Sequence, residues 1–171
     1  MTTPSSSGQA APGKPGDDSE RPTIRPAAAQ DLAPIELLLT ARSLPVAGVA
    51  DSLDGFLLAE HAGVVVGVVG IESCGAYGLL RSTAVASDWQ GRGLGRQLVE
   101  RAITVAEARG VQALYLLTTT AERYFPTFGF VAIAREQVPA VVRATSEFAS
   151  VCPASATVMM LGLTPRPRAI A

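Results

Sequence analysis

Three glycines at alternate positions interrupt the chain where a helix is about to begin. Gly91, Gly93 and Gly95 separate an apolar stretch that ends near Val85 from an amphipathic stretch that reaches Arg109. Glycine destabilises a helix interior by about 1 kcal/mol relative to alanine, so the run marks a boundary. Without side chains there, several backbone N–H groups can converge beside the partly positive N-terminus of the following helix. The pattern predicts a cradle for a phosphate or pyrophosphate.

The order of predicted elements indicates an α/β fold. Apolar residues recur with helical spacing from Leu98 to Ala106, and Gly110 follows as a C-terminal cap, so residues 93–109 predict a long helix. Short β-branched segments bounded by turn residues predict strands, and strands interleaved with helices are typical of a mixed sheet with helices on its faces. Strands are predicted at 23–27, 56–60, 64–72, 77–86, 113–119, 130–134 and 156–161, with further helices at 32–42, 120–127 and 139–150.

The 171 residues are the length of one domain flanked by two tails. Residues 1–21 consist mainly of Ser, Pro, Gly, Ala and charged residues, and residues 164–171 have a similar composition. Such segments bury too little apolar surface to offset the entropy of ordering, so we expect both to be disordered. The folded domain is predicted to span residues 22–163.

Composition argues against several classes of partner. The formal net charge is −1 and no polybasic run is present, so we expect no nucleic-acid partner. The longest apolar run, residues 62–71, has half the roughly 20 residues of a membrane span, so no membrane partner is expected. The first thirty residues hold no apolar signal segment, which favours a cytoplasmic location.

The two cysteines, Cys74 and Cys152, are too few for a disulfide framework. They predict reduced thiols, with a single disulfide or a soft-metal pair as the alternatives. We expect no metal site.

The glycine pattern differs from two common phosphate-binding motifs. A dinucleotide-binding fingerprint requires G-x-G-x-x-G, but Arg96 occupies the position of its third glycine, and no Walker-type G-x-x-x-x-G-K-[ST] run exists. The segment from Gln90 to Gly95 reads Q-x-x-G-x-G and follows a strand ending in Ala-Val. It resembles the acetyl-CoA signature of the GNAT N-acetyltransferases. The resemblance implies a GNAT fold, in which a central, mostly antiparallel sheet is splayed at its fourth and fifth strands and flanked by helices.

The same resemblance implies a site for acetyl-CoA as co-substrate. By this comparison, strand residues Thr83, Ala84 and Val85 offer backbone groups to the pantetheine arm and the thioester. The backbone N–H near Val85 is the implied oxyanion donor, which makes Val85 a candidate catalytic position. The loop implied to hold the pyrophosphate consists of Gln90, Gly91, Arg92, Gly93, Leu94, Gly95 and Arg96.

Downstream segments narrow the implied activity. "LYLLTTTAERYFPTFGF" resembles acetyltransferases that act on amino acids, such as the catalytic domain of N-acetylglutamate synthase, while "YGLLRSTAV" and "CPASA" resemble GNAT proteins associated with bacterial arsenic-resistance operons. The expected activity is acetyl transfer to the amine of a small, amino-acid-like molecule, with a link to arsenic resistance left open. Alternatives are a peptide or protein N-acetyltransferase, a catalytically weak acyl-CoA sensor, and direct arsenic binding by the two cysteines. A homodimer is also left open.

Two charged residues on predicted strands are candidates for acceptor chemistry. Glu72 ends an apolar strand and is a candidate general base, or else a solvated charge or ion-pair partner. A turn centred between Ala76 and Tyr77 would place Glu72 opposite Arg81 on the next strand. Arg81 is then either a structural partner of Glu72 or, as we favour, a group that holds a substrate carboxylate.

The proton donor for the leaving thiolate is not evident. Many members of the family have a Tyr five residues before the Phe of the Gly-Phe pair, where this chain has Phe125. Tyr124 is adjacent, but one helical step should rotate it about 100° away from the cleft. Tyr77 and Ser155 are weaker candidates for contact with the substrate.

Overall fold

A computed structural model of the chain describes residues 21–151 and 153–164. The predicted tails, apart from Arg21 and Thr164, lie outside the described residues, and so does Cys152. No helix among the described residues is long and apolar enough to cross a membrane.

The described residues form a mixed sheet of seven strands in the order β1-β2-β3-β4-β5-β7-β6. The first four strands are antiparallel neighbours, β4 and β5 are parallel, and β7 runs antiparallel between β5 and β6. This arrangement confirms the predicted mixed α/β sheet. The strands are β1 (Thr23–Pro26), β2 (Phe56–His61), β3 (Val64–Cys74), β4 (Tyr77–Val85), β5 (Ala113–Thr118), β6 (Val131–Ile133) and β7 (Thr157–Gly162).

Helices cover both faces of the sheet. The long amphipathic helix α2 (Leu94–Ala108) buries Leu98, Val99 and Ala102 against one face, in the largest apolar cluster. Helix α1 (Leu32–Ala41) packs Ile35 and Leu39 on a second cluster, formed with β2, β3 and β4. A third cluster includes residues from β4 and β5 and the short helix α3 (Ala140–Arg143). The two helical layers exclude water from the middle of the sheet.

The strands β4 and β5 separate after a short paired stretch. Only Tyr77–Leu79 of β4 pairs with β5, although β4 continues to Val85. A bulge lies in the same part of β4, because the register with β3 shifts and Ser82 has a φ of 55°. Bulges bend a strand and increase its twist, which turns β4 away from β5. The predicted splay between the fourth and fifth strands is therefore present.

Two predicted helices are shorter than expected. The prediction of a helix over 120–127 is wrong, because only Phe125–Phe128 forms a 3-10 turn, with Pro126 in its first positions. The predicted helix over 139–150 is divided into α3 and a π-helical turn at Glu147–Val151. Between them the hydroxyl of Thr145 donates to the Val142 carbonyl and accepts the N–H of Phe148, which interrupts the helix.

Candidate functional site

The glycine-rich loop forms a concave turn at the N-terminus of α2. Gly91 and Gly93 are both left-handed, with φ of 71° and 80°, a conformation that side-chain-bearing residues rarely adopt. Gly93 is the N-cap residue of α2, and a Cβ atom built on either glycine would meet no other atom within 4 Å. The side-chain side of both glycines is therefore unobstructed, beside the positive end of the helix dipole.

A cleft of about 610 Å³ connects this turn to the separated end of β4. It brings together nearly all the residues predicted for the cofactor site: Thr83, Ala84, Val85, Gln90, Gly91, Gly93, Leu94, Gly95 and Arg96. Arg42, Leu44, Trp89 and Tyr124 complete the described lining. Arg92 is absent from that lining, and its guanidinium lies over the Trp89 ring, 5.0 Å from the centroid.

The backbone of Val85 faces the gap between the strands. The N–H of Ala86 donates to the Val66 carbonyl at 2.9 Å, so this pair is a hydrogen-bonded pair of the β3–β4 ladder. Because N–H groups alternate in direction along an antiparallel strand, the N–H of Val85 points away from β3. It points to the side on which β5 has already separated.

A second cleft, of about 410 Å³, lies between the separated ends of β4 and β5. The two clefts adjoin, because both are lined by Leu44, Thr83 and Tyr124. The other described lining residues of the second cleft come from the loop at 43–45, from β4, from β5 and the Thr-rich segment after it, and from the chain around Glu147 and Pro153. A ligand along β4 in the first cleft would thus meet a molecule in the second near Thr83.

Arg81 is the centre of a buried cluster of charges, here called the carboxylate–guanidinium cluster and made of Arg81, Glu72 and Glu147. The Arg81 side chain is 1% exposed. Its Nη1 atom lies 3.2 Å from Glu72 Oε2, and its Nη2 atom lies 2.9 Å from Glu147 Oε2. Nη2 also donates to the Ala47 carbonyl, and Nε donates to Ser82 Oγ at 3.3 Å. The protein itself thus engages all three guanidinium nitrogens of Arg81.

Glu72 and Arg81 are partners, but their predicted register is wrong. Arg81 is opposite Gly70, and Glu72 is opposite Leu79. The turn is centred between Gly75 and Ala76, one residue earlier than predicted. Between this turn and the bulge, each residue of β3 therefore lies opposite a residue of β4 that is two positions earlier than predicted. Since the shift is even, both side chains stay on the same face, and the ion pair forms along the diagonal.

The other two predicted substrate contacts lie away from the clefts. Tyr77 belongs to the paired end of β4, opposite Ala113, with its ring centroid 5.8 Å from that of Tyr115. It lines neither cleft, because the strands separate only beyond Leu79. Ser155 is exposed and does not line the second cleft, although its neighbours Pro153 and Ala156 do.

Tyr124 lines both clefts, contrary to the expectation that it would turn away from them. The difference arises because the segment before Phe125 is a turn and not a helix, so the α-helical rotation does not apply. A Cβ atom built on Gly95 would lie 3.3 Å from the Tyr124 hydroxyl oxygen. Burial raises the pKa of Tyr124, opposed by nearby Arg96 and reinforced by Glu100. The phenol therefore carries its proton at neutral pH.

Glu147 was not among the candidates from the sequence. Its segment was predicted as an ordinary helix, in which a single acidic residue is unremarkable. The structure buries Glu147 to 8% exposure beside Arg81, on the wall of the second cleft. The signal available in the sequence was weak: an acidic residue next to the apolar Phe148, distant in the chain from its partner.

Cys74, the cysteine within the described residues, is a buried free thiol. Residues 21–151 and 153–164 contain no group of three or more His, Cys, Asp or Glu side chains that could hold a metal ion. Burial raises the pKa of the Cys74 thiol to about 11, reinforced by the charge of Glu72. Because the thiolate is the metal-binding form, Cys74 is a poor ligand at neutral pH.

Known proteins match this chain in sequence and in fold. The family model described as acetyltransferase (GNAT) family matches residues 24–130, well over half of the chain. An uncharacterised N-acetyltransferase of Chlorobaculum tepidum, CT2212, is 30% identical over 95 residues. That match covers 55% of this chain and 61% of the relative, so it leaves part of each protein unmatched.

Two solved structures share the fold at low sequence identity. Rv2747 from Mycobacterium tuberculosis, in complex with CoA and NLQ, aligns with a TM-score of 0.71 and 24% identity, over 84% of this chain and 100% of that one. N-acetylglutamate synthase from Neisseria gonorrhoeae, complexed with coenzyme A and N-acetyl-glutamate, aligns with a TM-score of 0.72 and 21% identity. That match covers 84% of this chain and 35% of the synthase chain, and both likenesses concern the fold.

The glycine turn provides a test of the cofactor cleft. Gly93→Val should abolish the rise in melting temperature caused by acetyl-CoA, because the added side chain obstructs the approach of the pyrophosphate to the backbone N–H groups. A ligand at 100 times its Kd adds about 2.7 kcal/mol to the free energy of unfolding. For a domain of this size, that corresponds to a rise of roughly 5–10 °C. Thermal unfolding with and without acetyl-CoA measures this rise in melting temperature.

The matched control is Gly110→Val. Gly110 has a φ of 77°, close to that of Gly93, and no atom within 4 Å of a built Cβ, but it follows the opposite end of α2. Both variants should lose stability from backbone strain, while only Gly110→Val keeps the rise with acetyl-CoA. An equal rise in both would place the phosphate site elsewhere.

Proposed function

Because the chain belongs to the acetyltransferase (GNAT) family, we propose that it transfers the acetyl group of acetyl-CoA to the amino group of a small, amino-acid-like molecule. The observation that carries the proposal is the pair of adjoining clefts at the separation of β4 and β5. One cleft ends on a helix N-terminus suited to phosphates, and the other is a separate chamber of a size suited to a small molecule. They meet at Thr83, where donor and acceptor would react.

The first cleft suits the extended shape of acetyl-CoA. We assign the pyrophosphate to the backbone N–H groups of residues 90–96, at the N-terminus of α2. The pantetheine arm then lies along Thr83, Ala84 and Val85, where it can pair with backbone groups that β5 has left free. Arg96 also lines this cleft and adds a positive charge beside the glycines.

Val85 is the proposed oxyanion donor. When an amine attacks the thioester, negative charge develops on the carbonyl oxygen, and a fixed backbone N–H lowers the energy of that charge. The N–H of Val85 points into the gap between the strands, because the neighbouring residue is the one that pairs with β3. Direct attack by the amine then needs no covalent enzyme intermediate.

An amino-acid-like acceptor is supported by two fold neighbours whose structures hold CoA with NLQ and coenzyme A with N-acetyl-glutamate. The second cleft is small and partly polar, with the hydroxyls of Thr118, Thr119 and Thr120 in its lining segments.

The cytoplasmic location, a homodimer and a link to arsenic resistance remain predictions that rest on the sequence and its resemblances.

The ion-pair contacts of Glu72 and Arg81 bear on which of their alternative roles is favoured. Glu72 is the base that the sequence suggests, but its carboxylate contacts Arg81 and is not in the described lining of either cleft, so it is the alternative to a base inside the second cleft. The Arg81 guanidinium is shared between two carboxylates, which leaves it poorly placed to hold a substrate carboxylate as well. The contacts support the structural alternative, in which Arg81 fixes neighbouring side chains.

We predict that amino acids are the best acceptors. With acetyl-CoA saturating, the best standard amino acid should have a kcat/KM at least about tenfold above that of spermidine or a tetra-alanine peptide, a difference of roughly 1.4 kcal/mol. Release of the CoA thiol measures the rate, with Gly93→Val as the inactive control. A peptide or polyamine as the fastest substrate would contradict the acceptor class. Acetyl-CoA binding without turnover of any amine would favour a sensor.

Tyr124 is the proposed proton donor to the leaving thiolate, since it lines both clefts and its raised pKa keeps the phenol protonated. Tyr124→Phe should lower kcat by about tenfold or more and leave the KM for acetyl-CoA within about twofold, since general acid catalysis contributes to the transition state alone. Steady-state kinetics with the best acceptor measure both constants. An unchanged kcat would mean that the thiolate leaves unassisted.

A further inference from the structure

The wall of the second cleft carries very little charge. Of the described residues that line it, Glu147 is the only carboxylate and Arg81 is the only cation. Histidine and lysine, two other common proton acceptors, are absent from the described lining, and the phenol of Tyr124 has a raised pKa that keeps it protonated. Resting on the proposed acetyl transfer, we propose that Glu147 binds the acceptor's ammonium group and takes up its proton.

Glu147 is held at a defined place by Arg81. The Nη2 atom of Arg81 lies 2.9 Å from Glu147 Oε2, and the side chains are 1% and 11% exposed. Above them the chain closes tightly, because a Cβ on Gly48 would lie 3.0 Å from Arg81 Nη1 and 3.2 Å from Ser146 Oγ. An ion pair with a buried guanidinium restrains the carboxylate, which is what a positioned proton acceptor requires.

The position also suits the reaction. Arg81 and Thr83 both line the second cleft from β4, on either side of the bulge at Ser82. Thr83 lines both clefts, so an amine between Glu147 and Thr83 faces the thioester end of a cofactor in the first cleft. Glu72 contacts the same guanidinium from β3 and is missing from the described lining of the cleft. Glu147 is therefore the carboxylate of the cluster that an acceptor can reach.

The proton and electron balance of the step is simple. The acceptor ammonium gives one proton to Glu147, and the freed nitrogen lone pair forms a bond to the thioester carbon. The carbon–sulfur bond then breaks and its electron pair leaves with the thiolate. The nitrogen loses its second proton to water as the amide forms. The Tyr124 phenol gives the thiolate the proton that makes it the CoA thiol and regains one from water. Glu147 returns its proton to water through the cleft, so one proton is released per turnover.

Other ionisable groups lie near Glu147. They are Arg81 from β4, Glu72 from β3 and the Tyr124 phenol, which lines the same cleft. Arg135 stacks on the ring of the neighbouring residue Phe148, 4.5 Å from its centroid. These neighbouring groups all remain in a Glu147→Gln variant. A change in pH dependence confined to that variant therefore reports on Glu147.

The experiment compares the pH dependence of acetyl transfer in the wild type and Glu147→Gln, with the best acceptor from the amino-acid panel. In the wild type, acetyl transfer at neutral pH should not depend on free amine alone, because a carboxylate base can take the proton from the bound ammonium group. In Glu147→Gln, kcat/KM for the acceptor should be about 100-fold lower at neutral pH and rise continuously with pH, because only acceptor already present as free amine reacts. The KM for acetyl-CoA should stay within about twofold.

Asp31→Asn is the matched structural control. Asp31 is another buried carboxylate paired with an arginine, with Oδ2 2.7 Å from Arg25 Nη1, and it lines neither cleft. Both variants should lower the melting temperature, because each leaves an arginine short of a partner. Only Glu147→Gln should change the pH profile and recover activity at high pH.

Each remaining outcome supports or overturns the proposal that Glu147 is the proton acceptor. A loss below threefold in Glu147→Gln, or a uniform loss at all pH values, would overturn the proposal. The same loss with a continuous rise with pH in Glu72→Gln instead would assign the base to Glu72. If Glu147→Gln does not fold, Glu147→Asp should fold, keep the wild-type pH dependence and lose about tenfold in kcat; an unchanged kcat would overturn the proposal. Absence of any acetyl transfer by the wild type would contradict the proposed function as well, whereas transfer without dependence on Glu147 contradicts this inference alone.

Discussion

The separation of β4 from β5 is the constraint on which the rest of the site depends. The two strands pair only at Tyr77–Leu79, and the bulge at Ser82 then turns β4 aside. A continuous parallel pairing would occupy the backbone of Val85 and close the second cleft. Because the helices on both faces hold the rest of the sheet together, the fold tolerates this gap in its hydrogen bonding. The gap supplies both a place for the thioester and unpaired backbone groups to contact it.

The two halves of the site are built in different ways. The cofactor half is local: a few successive residues with left-handed glycines and a helix N-terminus form the turn. The acceptor half is assembled from distant segments, with Arg81 from the middle of the chain, Glu147 from near its end, and the carbonyl of Ala47 from the loop after α1. A local motif can be transferred between proteins as a unit, whereas the distant contacts change independently and can alter the acceptor.

This difference explains which parts of the site the sequence could predict. The strand order, the long helix α2 and the glycine turn follow from periodicity and backbone chemistry within short windows. The β3–β4 register depended on where a short turn was centred, and a one-residue error there displaced Glu72 from Arg81 by two positions. Tyr124 was expected to face away from the cleft and Glu147 was not a candidate, because their orientations depend on a turn and a π-helical segment, whose geometry periodicity does not reveal.

A crystal structure of the protein with bound CoA tests the central claim most directly. The account predicts pyrophosphate oxygens within about 3.2 Å of backbone N–H groups between Gln90 and Arg96, the ordinary range for such hydrogen bonds. It also predicts that the pantetheine arm lies along Thr83–Val85, with the sulfur at the junction of the two clefts near Thr83. CoA bound on another surface, or a β4–β5 pair that closes over Val85 in the complex, would contradict it.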